Sequence, residues 1–419
     1  MASILLGRMR SEFLAPPTLV RFMVDDYGNP SLALKAPALQ LKYLVAAEVV
    51  SLLLMSFDGD GFAYAVSIPD DPRDPAYAWS TIDTDDEVAA LRALLHGKRG
   101  TLDLFNEIAV NVASTIVYFE GVALVERELA DGQRLTKTTP PGIPKARVLD
   151  AIDAMHGGTQ EQSGWRLTAT LGDRWSHPTT WCYSNGNTAS FLSLVASDDG
   201  SQQESLCLWL TDAFAPQGAY LNPQVTAGPA ARTRELCDVL LTSAGHTVLV
   251  ESKALAVLTR RRLPTRDELH GDVVKHIQKA TKQVSGAARY LRMGHRVTDQ
   301  RGQNVAVDRD KPLHLIVLIP DLTMLSAADN LGREFLAEQI LKHECYFHVL
   351  DPTQLLPLVQ AATTVARRRP RISEIDALNW CLVKRLERAL DHDSPAFDMI
   401  FRFDDGPNAN PAASDENSS

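Results

Sequence analysis

Three residues near the middle of the chain, Asp238, Glu251 and Lys253, have the types and spacing for phosphoryl chemistry. The stretches Glu235–Thr242 and His246–Lys253 read as two strands joined by a Ser243-Ala244-Gly245 turn. That turn pairs Thr242 with Thr247 and sets Asp238 opposite Glu251. Like charges directly opposed across a ladder repel, so the arrangement is unfavourable unless a cation sits between them. Glu251 and Lys253 are two residues apart and project from one face. Two carboxylates and an ammonium therefore converge at one end of a hairpin that is otherwise apolar at Val239, Leu240, Leu241, Val248, Leu249 and Val250. Carboxylate oxygens suit Mg2+ (or Mn2+), which keeps several waters. Such an ion lowers the pKa of a bound water and shields phosphate oxygens under attack. A lysine beside it positions the nucleophile or offsets charge developing on the phosphoryl group. The plainer alternative is a pair of solvated hairpin-end carboxylates, each bridged to a nearby Lys or Arg.

The elements that must position these groups are legible on either side. Gln202–Phe214 has the apolar spacing of a short buried helix, and Gly218–Val225 reads as a strand. After the hairpin, Asp272–Arg292 places Val273, Ile277, Ala280, Val284, Ala287, Ala288 and Leu291 at helical spacing. His314–Ile319 is an apolar strand ended by Pro320-Asp321. Leu331–Lys342 is a helix, Cys345–Leu350 a strand, and Asp351-Pro352-Thr353 opens a further helix before a last one at Ile372–Leu390. The order is helix, three strands, helix, strand, with α/β additions.

Asp238 followed by Glu251-Ser252-Lys253, after one helix and before a helix bearing Lys and Gln, resembles the PD-(D/E)XK, or restriction-endonuclease-like, nuclease superfamily. The resemblance covers about residues 200–355, and Cys237-Asp238 stands where that family has Pro-Asp. It implies an α/β fold with a mixed sheet flanked by helices, Asp238 and Glu251 as metal ligands and Lys253 as the catalytic lysine. It further implies supporting or phosphate-contacting roles for Gln283 and Lys279, which share a helical face with Lys275 and Gln278. A helix-borne acidic residue before the first strand is usual in the family; Glu204 is best placed and Glu235 is its rival. The implied activity is metal-dependent hydrolysis of phosphodiester bonds in nucleic acid, DNA favoured over RNA, by a protein that can be a homodimer. Gln278 and Lys282 also fit solvent-facing helix positions.

Charge agrees with a local polyanion surface. The chain of 419 residues carries a net charge of −10, yet residues 253–311 hold 14 Lys and Arg against 6 Asp and Glu. Arg260-Arg261-Arg262, with Lys275, Lys279 and Lys282, are the candidate nucleic-acid contacts; an exposed basic loop of no special role reads equally from Arg260–Arg262. The composition, 45% hydrophobic and 22% charged, excludes a fibrous or largely disordered chain. No apolar run is long enough to span a bilayer, and five scattered cysteines without a CxxC pair fit a reducing, cytoplasmic setting. There is no GxxxxGK[ST], GxSxG or HxxxH pattern.

Four regions are expected: a separate α/β or α+β region over 1–134, a linker and irregular connection over 135–200, the nuclease-like domain over 201–392 and a disordered tail over 406–419. Nothing before residue 200 carries a catalytic signature. Two other classes remain open: a nuclease-fold module that binds nucleic acid or a partner protein without cutting, and an enzyme using the same carboxylate chemistry on a smaller phosphoester.

Overall fold

A computed structural model describes residues 7–402 other than 15, 25–27, 58–59, 131–136, 139–141, 158–163, 173, 178–180, 184–188, 197, 216–217, 227–232, 244 and 398. The expected tail, 406–419, lies outside the described residues.

The N-terminal half is built as α1 (Gly7–Leu14), β1 (Leu19–Val24), β2 (Pro30–Lys35), α2 (Ala38–Ala46), β3 (Val49–Phe57), β4 (Gly61–Ile68), β5 (Ala76–Thr81), α3 (Asp85–Gly97), β6 (Arg99–Phe105), β7 (Asn111–Glu120), α4 (Val122–Ala130), α5 (Lys145–His156) and β8 (Gly164–Leu171). Its eight strands form one sheet in the order β1-β2-β6-β7-β8-β3-β4-β5, antiparallel except for β2 beside β6. Thr84 and Glu87 form the capping box that starts α3, and α3 packs across β1, β2 and β6. Arg21 on β1 donates to Thr81 O on β5 at 3.0 Å, so the two ends of the strand order meet.

Residues 135–200 are more than a linker, which corrects the sequence reading. Beyond the short helix α5, which the sequence also predicts, they contain β8, and β8 sits in the middle of the large sheet between β7 and β3. Trp165, Leu167, Ala169 and Leu171 are buried from one strand face, so removing β8 would expose the centre of the sheet. The short strands β9 (Trp181–Tyr183) and β10 (Ala189–Phe191) follow as a small hairpin.

The C-terminal half runs α6 (Asp199–Thr211), β11 (Ala219–Leu221), β12 (Gln224–Thr226), β13 (Arg234–Glu235), β14 (Val239–Ser243), β15 (His246–Ser252), α7 (Arg266–Arg292), β16 (Arg296–Thr298), β17 (His314–Leu318), α8 (Arg333–His343), β18 (Tyr346–Leu350), α9 (Pro352–Arg368) and α10 (Glu374–Asp391). A five-stranded mixed sheet has the order β11-β14-β15-β17-β18, antiparallel up to β15 and parallel beyond it. The expected helix–three strands–helix–strand order is present as α6, β11, β14, β15, α7 and β17. Strands β12, β13 and β16 form a separate small sheet.

Alternation decides which helix covers which face. Leu240, Leu249, Leu315 and Val317 point to α7, which buries Val273, Ile277, Ala280, Val284 and Leu291 against them. Val239, Leu241, Val248, Val250, Ile316 and Leu318 point the other way, into a core with Leu206 and Leu210 of α6 and apolar residues of α9 and α10. Each fully buried aliphatic side chain contributes roughly 1.5–3 kcal/mol. The second core continues without a break into Val20, Leu34, Leu52, Tyr64 and Leu91 of the N-terminal sheet. The N-terminal region is therefore packed into the rest of the chain rather than set apart from it, as the sequence suggested. Among the described residues no helix is long and apolar enough to cross a membrane.

Candidate active site

The site forms where β15 leaves the sheet. The β14–β15 ladder runs from Ser243 opposite His246 to Val239 opposite Val250, which is the register the turn requires. Gly245 supplies the positive φ of that turn, +83°, and its N–H donates to Asp308 Oδ2 at 2.7 Å. His246 Nε2 lies at hydrogen-bond distance, 2.7 Å, from Asp376 Oδ1 on α10. At the opposite end of the hairpin the next residues out are Asp238 and Glu251.

Asp238 N–H donates to Val250 O at 3.1 Å, and Ser252 N–H donates to Asp238 Oδ2 at 2.5 Å. Lys253 N–H donates to Leu318 O at 2.8 Å, which pins the residue to β17. Its Nζ donates to Glu251 Oε1 at 2.6 Å and lies 3.9 Å from Asp238 Oδ2. Asp238 and Glu251 are only 5% and 3% exposed. The structure thus brings Asp238, Glu251 and Lys253 together.

The electrostatics are those of several carboxylates around one ammonium. Burial, reinforced by the Asp238 charge, pushes the Glu251 carboxyl up to about 7, against the pull of Lys253. Burial also raises Asp238, opposed by Lys253 and the Ser252 N–H. Glu204, half-buried on α6, accepts from Asn222 Nδ2 at 3.3 Å; burial and then Asp238 raise its carboxyl. Glu235 is raised by burial and then by the Asp238 charge. Both acidic residues weighed from the sequence thus border Asp238. Among the described residues, no group of three or more His, Cys, Asp or Glu side chains stands arranged to hold a metal ion.

The α7 residues named from the sequence are placed differently. Lys275, Gln278, Lys279, Lys282 and Gln283 are all exposed, and Gln283 makes no hydrogen bond to Asp238, Glu251 or Lys253. Lys275, Lys279 and Lys282 follow helical spacing and form a basic stripe along one side of α7. The residue that sequence reasoning missed is His276. It is half-buried, its Nδ1 is enclosed without a hydrogen-bond partner, and the charges of Asp272, Lys253, Lys279 and Arg260 act on it. Desolvation holds its pKa below the ordinary value. Its sequence signal was the position between the apolar face and the lysines of α7.

No family model, curated protein or solved structure matches the chain.

The arginine loop is not the unpartnered basic surface that the sequence suggested. Arg260 donates to Asp272 Oδ2 at 2.6 Å, and Arg262 pairs with Glu268. Arg266 bonds both oxygens of Asp70 at 3.1 Å and reaches Asp74 at 3.3 Å. Arg261 is exposed and has no acidic partner among the described residues. The charges available to a polyanion are therefore Arg261 and the α7 lysines, although Lys275 also lies 3.6 Å from Asp272.

Proposed function

We propose that the protein is a metal-dependent nuclease of the PD-(D/E)XK type, cutting phosphodiester bonds of nucleic acid, with DNA the preferred substrate. The observation that carries this reading is the meeting of Asp238, Glu251 and Lys253: one ammonium within 4 Å of two nearly inaccessible carboxylates, at the end of parallel strands β15 and β17. Burying two carboxylates with a single cation leaves negative charge uncompensated, at a cost in stability that a purely structural ion pair would not require.

The donor chemistry fits a hard divalent cation. Asp238 and Glu251 offer buried oxygen ligands whose carboxyls burial raises, and Glu204 on α6 is a further oxygen donor that the Asp238 charge reaches. Mg2+ or Mn2+ would polarise the phosphate and lower the pKa of a bound water. In this account Lys253, held by Glu251 and by β17, orients the attacking water or offsets charge on the phosphoryl oxygens. The lysine stripe of α7 and Arg261 bind the backbone without reading sequence.

A binding module that does not cut is the second reading. It is favoured by the direct Lys253–Glu251 bond, which gives Lys253 a partner without a metal, and by the absence of a ready-made metal cluster among the described residues. Incubating plasmid, single-stranded DNA and RNA with Mg2+, Mn2+ or EDTA separates the two. Metal-dependent cutting that disappears in folded Asp238→Ala is expected. A wild type silent on every substrate, yet retaining nucleic acid in a filter or shift assay, defeats the nuclease reading and leaves the binding module.

A further inference from the structure

We infer that Lys42 and Tyr43 on α2 are positioning residues for the candidate active site, through which the N-terminal region fixes the segments carrying Lys253 and Glu204. The inference rests on the nuclease reading for its functional consequence, and on hydrogen bonds between distant parts of the chain for its substance.

Lys42 is 6% exposed, and its ammonium joins two segments. It donates to Leu255 O at 3.1 Å, two residues beyond Lys253. It also lies 2.8 Å from Asp199 Oδ2, at the start of the helix that carries Glu204. One buried cation therefore ties the two chain segments that deliver the lysine and the helix-borne acid. Tyr43 OH donates to Pro264 O at 2.6 Å, immediately before the cap of α7. Arg266, the first residue of α7, is held by Asp70 and Asp74 of the N-terminal half. The segment 254–265, which contains Arg260–Arg262, is thus gripped at both ends by one region.

The grip has a firm base. Glu107 Oε2 accepts from Ala38 N–H at 2.8 Å at the start of α2, and Leu39 and Tyr43 belong to the apolar core beneath α7. Beside the contact lies a cavity of about 90 Å3 lined in part by Leu39, Lys42, Gln203, Ala254 and Leu255. A shortened side chain at position 42 would enlarge this cavity beside Ala254 and Leu255 and remove the Leu255 O donor. A shift of the order of an ångström at a catalytic group is enough to lower turnover strongly.

The test compares wild type with Tyr43→Phe, which removes only a hydroxyl, and Lys42→Met, which keeps the apolar stem. Hydrogen exchange is followed over residues 254–268, with β17 as internal control, alongside steady-state cleavage of a DNA duplex in Mg2+. Loss of one buried hydrogen bond corresponds to about tenfold faster exchange in that segment. The expected outcome is that acceleration with β17 unchanged, a kcat lowered about tenfold, a KM within about twofold of wild type, and partial recovery in Lys42→Arg. Unchanged exchange in the folded variants overturns the inference, as does faster exchange with unchanged kcat. A wild type that cuts nothing defeats the nuclease reading alone; the exchange comparison then still decides whether α2 holds the segment.

Discussion

Replacing Glu251 by Gln should flatten the dependence of stability on pH. The Glu251 carboxyl is 3% exposed and pushed up to about 7, from an ordinary value of 4.5, by burial and by Asp238. For an acid whose folded pKa lies above its unfolded one, the folded state binds the extra proton. The stabilising contribution is complete below 4.5 and is lost as pH rises through about 7. A separation of about 2.5 pKa units corresponds to about 3 kcal/mol, the amount by which ionised Glu251 weakens the fold at pH 8. In Glu251→Gln the amide oxygen still accepts from Lys253, the shape is kept and the titration is gone. Urea denaturation at pH 5, 6, 7 and 8 should show wild type losing about 2.5 kcal/mol more than the variant across that range, with similar m-values. Parallel curves for the two proteins would refute the reasoning, because they would mean that Glu251 is not a buried carboxylate short of a cation.

Three further outcomes follow from other parts of the structure. His314 and His348 are buried on adjacent strands with Nδ1 of the first 3.0 Å from Nε2 of the second, and burial pulls His314 down to about 4. Stability should therefore fall as pH drops from 6.5 towards 4, by about 3 kcal/mol for His314, and His314→Gln should lose less over the same range by urea denaturation. Arg385, 2% exposed, donates to Val349 O at 2.7 Å and to Gln354 Oε1 and Pro395 O at 2.6 Å. Arg385→Met removes all of these bonds, although Pro395 O keeps the Gln354 Nε2 donor at 3.1 Å, and should cost on the order of 3 kcal/mol, read as a lower urea midpoint at constant m-value. Lys279→Gln combined with Lys282→Gln should weaken DNA binding and reduce the slope of log K against log salt by about 2, as two lost phosphate contacts require; an unchanged slope removes the stripe from the interface.

How much of this could be read in advance follows the range of the interactions. The β14–β15 register was legible because a tight turn fixes it, and it alone sets Asp238 opposite Glu251 and Lys253 on the same face. Helix α7 was legible from Val273 to Leu291 because its apolar spacing spans many turns. Its N-terminal start at Arg266 was not, although the Thr265/Glu268 capping box was there to read. Strand β8 carries a clear alternation, Trp165, Leu167, Ala169 and Leu171 against Arg166, Thr168 and Thr170, but its partner β3 lies more than 100 residues earlier. The nearby glycines and polar residues made that segment look like a connection. Arg260 and Arg262 read as available charge because their partners Asp272 and Glu268 are recognised only once the chain is folded. Lys42 illustrates the same limit: within α2 nothing distinguishes it from a surface lysine, and its role depends on Leu255 and Asp199.

The central claim is that Lys253 serves chemistry at a carboxylate site rather than simply neutralising Glu251. The most direct measurement is single-turnover DNA cleavage by Lys253→Ala, with Mn2+ binding followed by calorimetry on the same folded protein. If Lys253 acts on the phosphoryl group, cutting falls by about a hundredfold or more while Mn2+ still binds at least as well as in wild type, since the competing ammonium is gone. If Lys253→Ala cuts at the wild-type rate, Lys253 is a structural counter-ion and the account of the site is wrong.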